Sequence, residues 1–288
     1  MQIEELKNNI EKFYIASNTD TIDTGNNDLT VTINYFLEYL NQGKIRAAEK
    51  QVQNWIVNTW IKKGILLLFK LGKLQEMFCG NNDFSFFDKN TITLRKFELS
   101  DGIRIVPGGS AIRNGAYIGK GVICMPPMYI NIGAYVDEGT MVDSHALIGT
   151  CAQIGKRVHI SAAAQIGGVL EPIGANPVII EDDVMVGGNC GVYEGVIIKK
   201  NVILGSGVIL NSSTKVYDLI NNSILVSSDI LPLTIPEDAV VVQGARGINT
   251  AFGKENNLSI STPIIVKYRD AKTDAKTELE NALRQPID

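Results

Sequence analysis

Between Val106 and Ile166 a compact apolar side chain, most often β-branched, returns at every sixth residue: Val106, Ile112, Ile118, Cys124, Ile130, Val136, Val142, Ile148, Ile154, Ile160 and Ile166. Two positions before these beats stands a small or slim residue, as at Ser110, Ala116, Val122, Ala134, Thr140, Ala146, Ala152, Val158 and Ala164, and the position after is often Gly, Asn or Asp. The beat stops over Gly168–Val178 and resumes, displaced by two residues, at Ile180, Val186, Val192, Ile198, Leu204, Leu210 and Val216. Residues two apart on a strand face the same side, so each hexad supplies two inward side chains and then a turn. Three hexads close a triangular coil and stack residue i under residue i+18, so that Ile112, Ile130, Ile148 and Ile166 form one column. The eighteen hexads make six coils, a prism roughly 29 Å tall at about 4.8 Å per stacked strand. A fixed short period of this kind specifies a β-helix. No apolar stripe of period 3.6 competes with it between residues 104 and 216.

The ends of the chain follow other rhythms. Helical apolar spacing covers residues 1–17, through Ile10, Phe13 and Tyr14, and residues 31–42, through Ile33, Phe36, Leu37 and Leu40, with Gly43 as a stop. A strand-like Lys44–Lys50 precedes a third predicted helix over Asn54–Leu68. Beyond the repeat, Ala239–Gln243 and Leu258–Tyr268 read as strands, the second interrupted by Pro263, and Lys272–Arg284 reads as a short amphipathic helix. The expected organisation is therefore a mainly helical N-terminal domain over residues 1–103, a β-helix over 104–218, and a small C-terminal α+β extension over 219–288. The flanking segments can cover the open end coils that a solenoid must protect.

With 288 residues, 45% of them hydrophobic and 20% charged, the chain can bury a large core as one main domain with additions. A net charge of −4 and the lack of a basic stripe argue against a nucleic-acid or membrane-surface partner. The apolar stretch Gly64–Phe69 is too short to span a bilayer, and the opening Met1-Gln-Ile-Glu-Glu-Leu-Lys7 does not resemble a signal peptide, so a cytoplasmic location is expected. Four cysteines, Cys79, Cys124, Cys151 and Cys190, show no metal or redox spacing; Cys124 and Cys190 fall on inward beats of the repeat, where packing is their expected role. A nucleophilic Cys151 partnered by His159 or His145 is the sharper alternative for that residue. Only these two histidines exist, which rules out a multi-histidine metal site, and no metal is expected. The glycines belong to the turns of the repeat, and no phosphate-binding loop stands at a strand-to-helix junction. Carboxylates gather around the prism at Asp137, Glu138, Asp143, Glu171, Glu181, Asp182, Asp183 and Glu194; most of these are expected to be solvated turn residues.

The run Asn131-Ile-Gly-Ala-Tyr-Val-Asp-Glu-Gly-Thr-Met-Val-Asp143, followed by Cys151-Ala-Gln-Ile-Gly-Lys156, Gly167-Gly-Val-Leu-Glu-Pro172 and Val178-Ile-Ile-Glu-Asp182, resembles the tetrahydrodipicolinate N-succinyltransferases of lysine and diaminopimelate synthesis. The likeness extends to Arg46-Ala-Ala-Glu-Lys50 with Trp55, Trp60 and Lys62-Lys63, and to Val266-Lys267 with Asp270-Ala-Lys-Thr273, so it covers nearly the whole chain. Hexapeptide repeats alone would be a weak signal, because several acyltransferase classes share them.

The resemblance implies a left-handed parallel β-helix, an exception to the right-handed rule for parallel crossovers, and a homotrimer with active sites in clefts between neighbouring prisms. It implies transfer of succinyl from succinyl-coenzyme A, a co-substrate rather than a bound cofactor, to the amino group of L-2-amino-6-oxopimelate, a small dicarboxylate. An amine nucleophile needs a carboxylate to hold it and accept its proton; Asp143, in Met-Val-Asp, matches the family's substrate-binding aspartate. The acceptor's carboxylates call for a guanidinium, and Arg104 matches the family's arginine, with Arg113 and Lys156 as candidate helpers. Backbone amides near Gly187-Gly188 and Gly205 are candidates for the thioester oxyanion. Lys199, Lys200, Lys215 and Lys267 are candidate contacts to the phosphates of coenzyme A.

One segment departs from the pattern. Where the family reads Gly-Ala-Arg-Ser-Glu-Val-Val-Glu-Gly, this chain has Gly187-Gly-Asn-Cys-Gly-Val-Tyr-Glu-Gly195, so that Gly191 replaces a glutamate proposed to act in catalysis, while Glu194 survives. His145 stands where the family commonly has Trp, as either a base or a space-filling ring. Asp143 alone, another carboxylate such as Glu194, or a loss of activity are the open consequences. An N-acetyltransferase using acetyl-coenzyme A, or a trimeric scaffold weakened in catalysis, are the competing readings.

Overall fold

In the computed structural model, which describes residues 1–52, 54–78, 85–228 and 231–270, two-residue strands joined by short corners build a parallel β-helix with three faces. Face one begins at Arg104–Ile105 and stacks Ile123–Cys124, Met141–Val142, His159–Ile160, Met185–Val186 and Ile203–Leu204. Face two runs from Ala111–Ile112 to Ile209–Leu210, and face three from Tyr117–Ile118 to Thr234–Ile235. In the regular coils residue i lies opposite i+18, as with Ile118 and Val136 or Ile112 and Ile130. The second residue of each two-residue strand from Ile112 to Leu210 points inward and is at most 5% exposed. Each such side chain contributes about 1.5–3 kcal/mol on burial, so the six-residue beat is itself the main determinant of the fold. The one polar core residue on the beat's companion row, Thr140, is satisfied, donating to the Gly155 carbonyl at 2.8 Å and accepting from the Val158 amide at 3.0 Å.

The register differs from the sequence expectation at both ends. Ile105, not Val106, lies opposite Cys124, because the corner leading to Ala111 holds one residue more than the regular ones. Val216 is buried but does not extend the prism: it pairs with Leu225 in a hairpin, and Thr234–Ile235 is the next strand of face three, opposite Ile197–Ile198. In the middle, Ile154 lies opposite Ile180, so the break over Gly168–Val178 is a surface excursion inserted between faces two and three.

Helices α1 (Ile3–Asn18), α2 (Asn27–Asn41) and α3 (Thr59–Leu71) form the N-terminal domain. Helix α2 starts earlier than its apolar spacing suggests because Asn26 caps it, accepting from the Asp28 amide at 2.8 Å. Residues Asn54–Val57 are not helical but pair as a strand with Ala48–Gln51; α3 begins only after them. The domain packs against face three and the corner between faces two and three, where Ile132 and Cys151 join its core with Leu6, Phe36, Trp60 and Ile65. Gly64 is required there: a side chain at this position would meet the Phe36 ring at 2.5 Å. Arg46 stacks 3.7 Å over Tyr135 and donates to Gln153 at 2.8 Å.

At the other end Ala239–Gly247 continues face one and pairs antiparallel with Ser259–Tyr268, which passes through Pro263 without interruption. Pro263 is tolerated because the strand's other neighbour, Val216–Asp218, meets it only at Ile264 and Ile265, leaving the position at an edge. The helix expected over Lys272–Arg284, and Cys79, lie outside the described residues. No helix among the described residues is long and apolar enough to cross a membrane.

Candidate active site

Because the repeat stacks equivalent positions, residues that are far apart in sequence share one edge of the prism. The corner between faces one and two contains Asp143–Ala146, Ser161–Ala164, Gly187–Cys190 and Gly205–Val208 in successive coils. It is tied vertically by Ala163 N–H to the Ser144 carbonyl (2.9 Å), Asn189 N–H to Ala162 (3.0 Å) and Gly207 N–H to Gly188 (2.9 Å). The intervening amides of Ala162, Gly188 and Ser206 meet no acceptor among the described residues. Ala162 and Ser206 are exposed and Gly188 is half-buried, so these unbonded amides stand open to solvent on the outer side of successive coils, about 4.8 Å apart.

Asp143 stands on the same edge. One carboxylate oxygen accepts from the Ser144 amide at 2.7 Å, and the other lies 3.8 Å from His159 Nε2. With 28% of its side chain exposed, the carboxylate is anchored yet reachable. His159 is the outward residue of the strand directly above Met141 on face one. Its place beside Asp143 could have been read from the eighteen-residue stacking, whereas sequence reasoning considered it only as a partner for Cys151. Cys151 lies on the corner between faces two and three, fully buried against the N-terminal helices, and burial pushes its thiol up to about 12 with only partial relief from Lys62. The nucleophilic-cysteine alternative is therefore set aside. Cys124 is likewise pushed up to about 12 by burial, and Cys190 is raised for the same reason.

His145 is exposed in the left-handed region at φ 62°, with its amide bonded to the Pro127 carbonyl and its own carbonyl accepting from Gln165 at 3.2 Å. Arg104 is exposed at the start of face one, opposite Ile123, which is in turn opposite Met141. Two strand spacings, about 10 Å, separate it from the coil of Asp143, a distance that a dicarboxylate and a long side chain can span together.

Three candidates are placed elsewhere. Arg113 is committed to structure, with an ion pair to Asp88 at 2.5 Å and bonds to the Tyr129 hydroxyl at 2.8 Å and the Ile92 carbonyl at 2.6 Å. Lys156 pairs with Glu138 at 2.9 Å on an exposed corner between faces three and one. Glu194 occupies the corner between faces two and three, where it accepts from the Ser212 amide at 3.1 Å and hydroxyl at 2.5 Å; it does not share the edge of Asp143. Gly191 is the outward residue of face two between Gln165 and Ile209, and the ring of Tyr193 lies across it. Among the cations, Lys199 is 3.6 Å from Glu181. Lys215 and Lys267 belong to the C-terminal extension, where the Lys215 carbonyl accepts from Thr262 at 2.8 Å and Lys267 lies opposite Val240 and 3.2 Å from Asp270. The described residues contain no cluster of three or more His, Cys, Asp or Glu suited to a metal ion.

Residues 5–71 match the model of the tetrahydrodipicolinate N-succinyltransferase N-terminal domain, and residues 177–212 match the hexapeptide repeat of succinyl-transferase. Among curated proteins, a 2,3,4,5-tetrahydropyridine-2,6-dicarboxylate N-succinyltransferase of Ralstonia nicotianae is 43% identical over 90% of both chains. Enzymes of the same name from Aromatoleum aromaticum and Legionella pneumophila are 47% and 42% identical, covering 85% and 96% of this chain and 86% and 96% of their own.

Proposed function

The chain belongs to the 2,3,4,5-tetrahydropyridine-2,6-dicarboxylate N-succinyltransferase family, and from that membership we propose that it moves the succinyl group of succinyl-coenzyme A to the amino nitrogen of L-2-amino-6-oxopimelate. The left-handed parallel β-helix of the family supplies the frame. The observation that carries the reading is the shared edge: Asp143 stands one coil below the outward amide of Ala162, with those of Gly188 and Ser206 above it.

In this reading the Asp143 carboxylate holds the amine and accepts its proton as nitrogen attacks the thioester carbonyl. The new C–N bond forms, the carbonyl oxygen becomes an oxyanion, and an outward corner amide donates to it. Collapse breaks the C–S bond and releases coenzyme A, whose thiolate takes up a proton. Arg104 orients a carboxylate of the acceptor by charge-assisted hydrogen bonds. The donor lies along the corner, with Lys215 and Lys267 at the end that receives its phosphates. His145, beside Asp143 in the chain, borders the acceptor. No resident cofactor takes part.

Asp143 is partly exposed and Ala162 and Ser206 are exposed on this edge, which is in keeping with a homotrimer in which a neighbouring prism completes each cleft; sedimentation should give three times the chain mass. Cytoplasm is the compartment we propose, in keeping with the unpaired thiols of Cys124, Cys151 and Cys190. The transfer itself is tested by mass analysis of the acceptor after incubation with succinyl-coenzyme A: an N-succinylated product supports it, and an unmodified acceptor contradicts it.

A further inference from the structure

Gly191 leaves a gap in the outer surface of face two, and Tyr193 fills it. A Cβ at residue 191 would lie 2.4 Å from a ring carbon of Tyr193 and 2.8 Å from its hydroxyl oxygen. A Cβ on Gly167, in the coil below, would lie 2.8 Å from the same ring. The ring thus rests on two glycines, and any side chain at 191 would displace it. The Tyr193 amide is fixed to the Leu210 carbonyl at 2.9 Å, whereas its hydroxyl meets no partner among the described residues. Gly191 immediately follows the corner Gly187–Cys190, so the hydroxyl stands on face two in the same coil as that corner.

The resembling sequences have Glu and Val where this chain has Gly191 and Tyr193. Since the two positions compete for one volume, the exchanges are coupled: losing the glutamate side chain makes room for the ring, and the ring brings a different polar group to the same place. We propose that the Tyr193 hydroxyl donates a hydrogen bond to an anionic oxygen of the bound substrates, either a carboxylate of the acceptor or the oxyanion of the tetrahedral adduct. A phenol can donate where an ionised carboxylate only accepts, so the proton of the amine remains with Asp143 and no covalent bond involves Tyr193. This role rests on the succinyl-transfer reading.

Steady-state kinetics of Tyr193→Phe test it, because phenylalanine keeps the ring over Gly191 and removes only the hydroxyl. A loss of about 10- to 100-fold is expected, the size of one net hydrogen bond to a charged group. A fall in kcat at constant KM assigns the donor to the oxyanion; a rise in the acceptor's KM at constant kcat assigns it to the acceptor's carboxylate. Gly191→Glu alone should expel the ring and lose activity as well, and Gly191→Glu with Tyr193→Val should recover part of it. If Tyr193→Phe keeps both constants within twofold of a competent wild type, or if Gly191→Glu exceeds the wild type, the hydroxyl has no such role. A wild type without any acceptor-dependent thiol release overturns the transfer reading and this role together.

Discussion

At the residue scale the decisive group is Asp143, a carboxylate held on one oxygen by the Ser144 amide and presented beside His159. Asp143→Asn keeps the shape and one acceptor oxygen but cannot take a proton, so kcat should fall by about 10²- to 10⁴-fold. Calorimetric affinity for coenzyme A should stay within about twofold. Unchanged turnover would remove Asp143 from the mechanism. Asp143 and Arg104 were legible in the sequence only through the motifs around them, since an isolated turn carboxylate looks like any other. His159 and Tyr193 were missed for a different reason: their relevance lies in which coil neighbour they touch, and that depends on a stack eighteen residues deep and on a gap at a glycine. Arg113 looked available in sequence because its partner Asp88 comes from another domain.

At the element scale the hexad does most of the work. Ile148 is fully buried between Ile130 and Ile166, and Ile148→Ala should cost about 2–5 kcal/mol in denaturant unfolding, with catalytic constants of the folded fraction nearly unchanged. The same periodicity made the prism readable without a structure, because each beat reports burial directly. Its limits were the places where burial and the coil part company. Val216 is buried in a hairpin rather than on a prism strand, and the corner after Ile105 carries an added residue that shifts the apparent beat to Val106. The strand at Asn54–Val57 was hidden because Trp55 and Ile56 adjoin a strongly helical stretch; its pairing with Ala48–Gln51 is a tertiary decision.

For the whole molecule, the N-terminal domain is fastened to the prism by a polar clamp. Glu181 receives Lys50 at 2.8 Å, Trp55 Nε1 at 3.0 Å and the Lys200 amide at 3.2 Å, with Lys199 at 3.6 Å. Burial alone would raise its carboxyl, but the bonds from Lys50 and Trp55 and the charge of Lys199 outweigh burial and hold it below the usual range. A carboxyl depressed by folding contributes stability above its unfolded value, about 4.3, and loses that contribution as the pH falls through its folded value. Glu181→Gln should therefore destabilise the protein by about 1–3 kcal/mol near pH 7, and the difference between the two melting curves should close below about pH 4. A difference independent of pH would show that packing, not charge, fastens the domains. Sequence could place Trp55 and Glu181 in their respective domains; it could not show that they meet, because 126 residues separate them.

The most direct measurement follows thiol release from succinyl-coenzyme A and, in parallel, acetyl-coenzyme A, with and without the ring-opened acceptor. Release that requires the acceptor and favours the succinyl donor is expected from an edge combining Asp143 with outward corner amides. Acceptor-dependent release favouring acetyl would contradict the donor assignment, and a folded protein releasing no thiol from either donor would contradict catalysis at this edge.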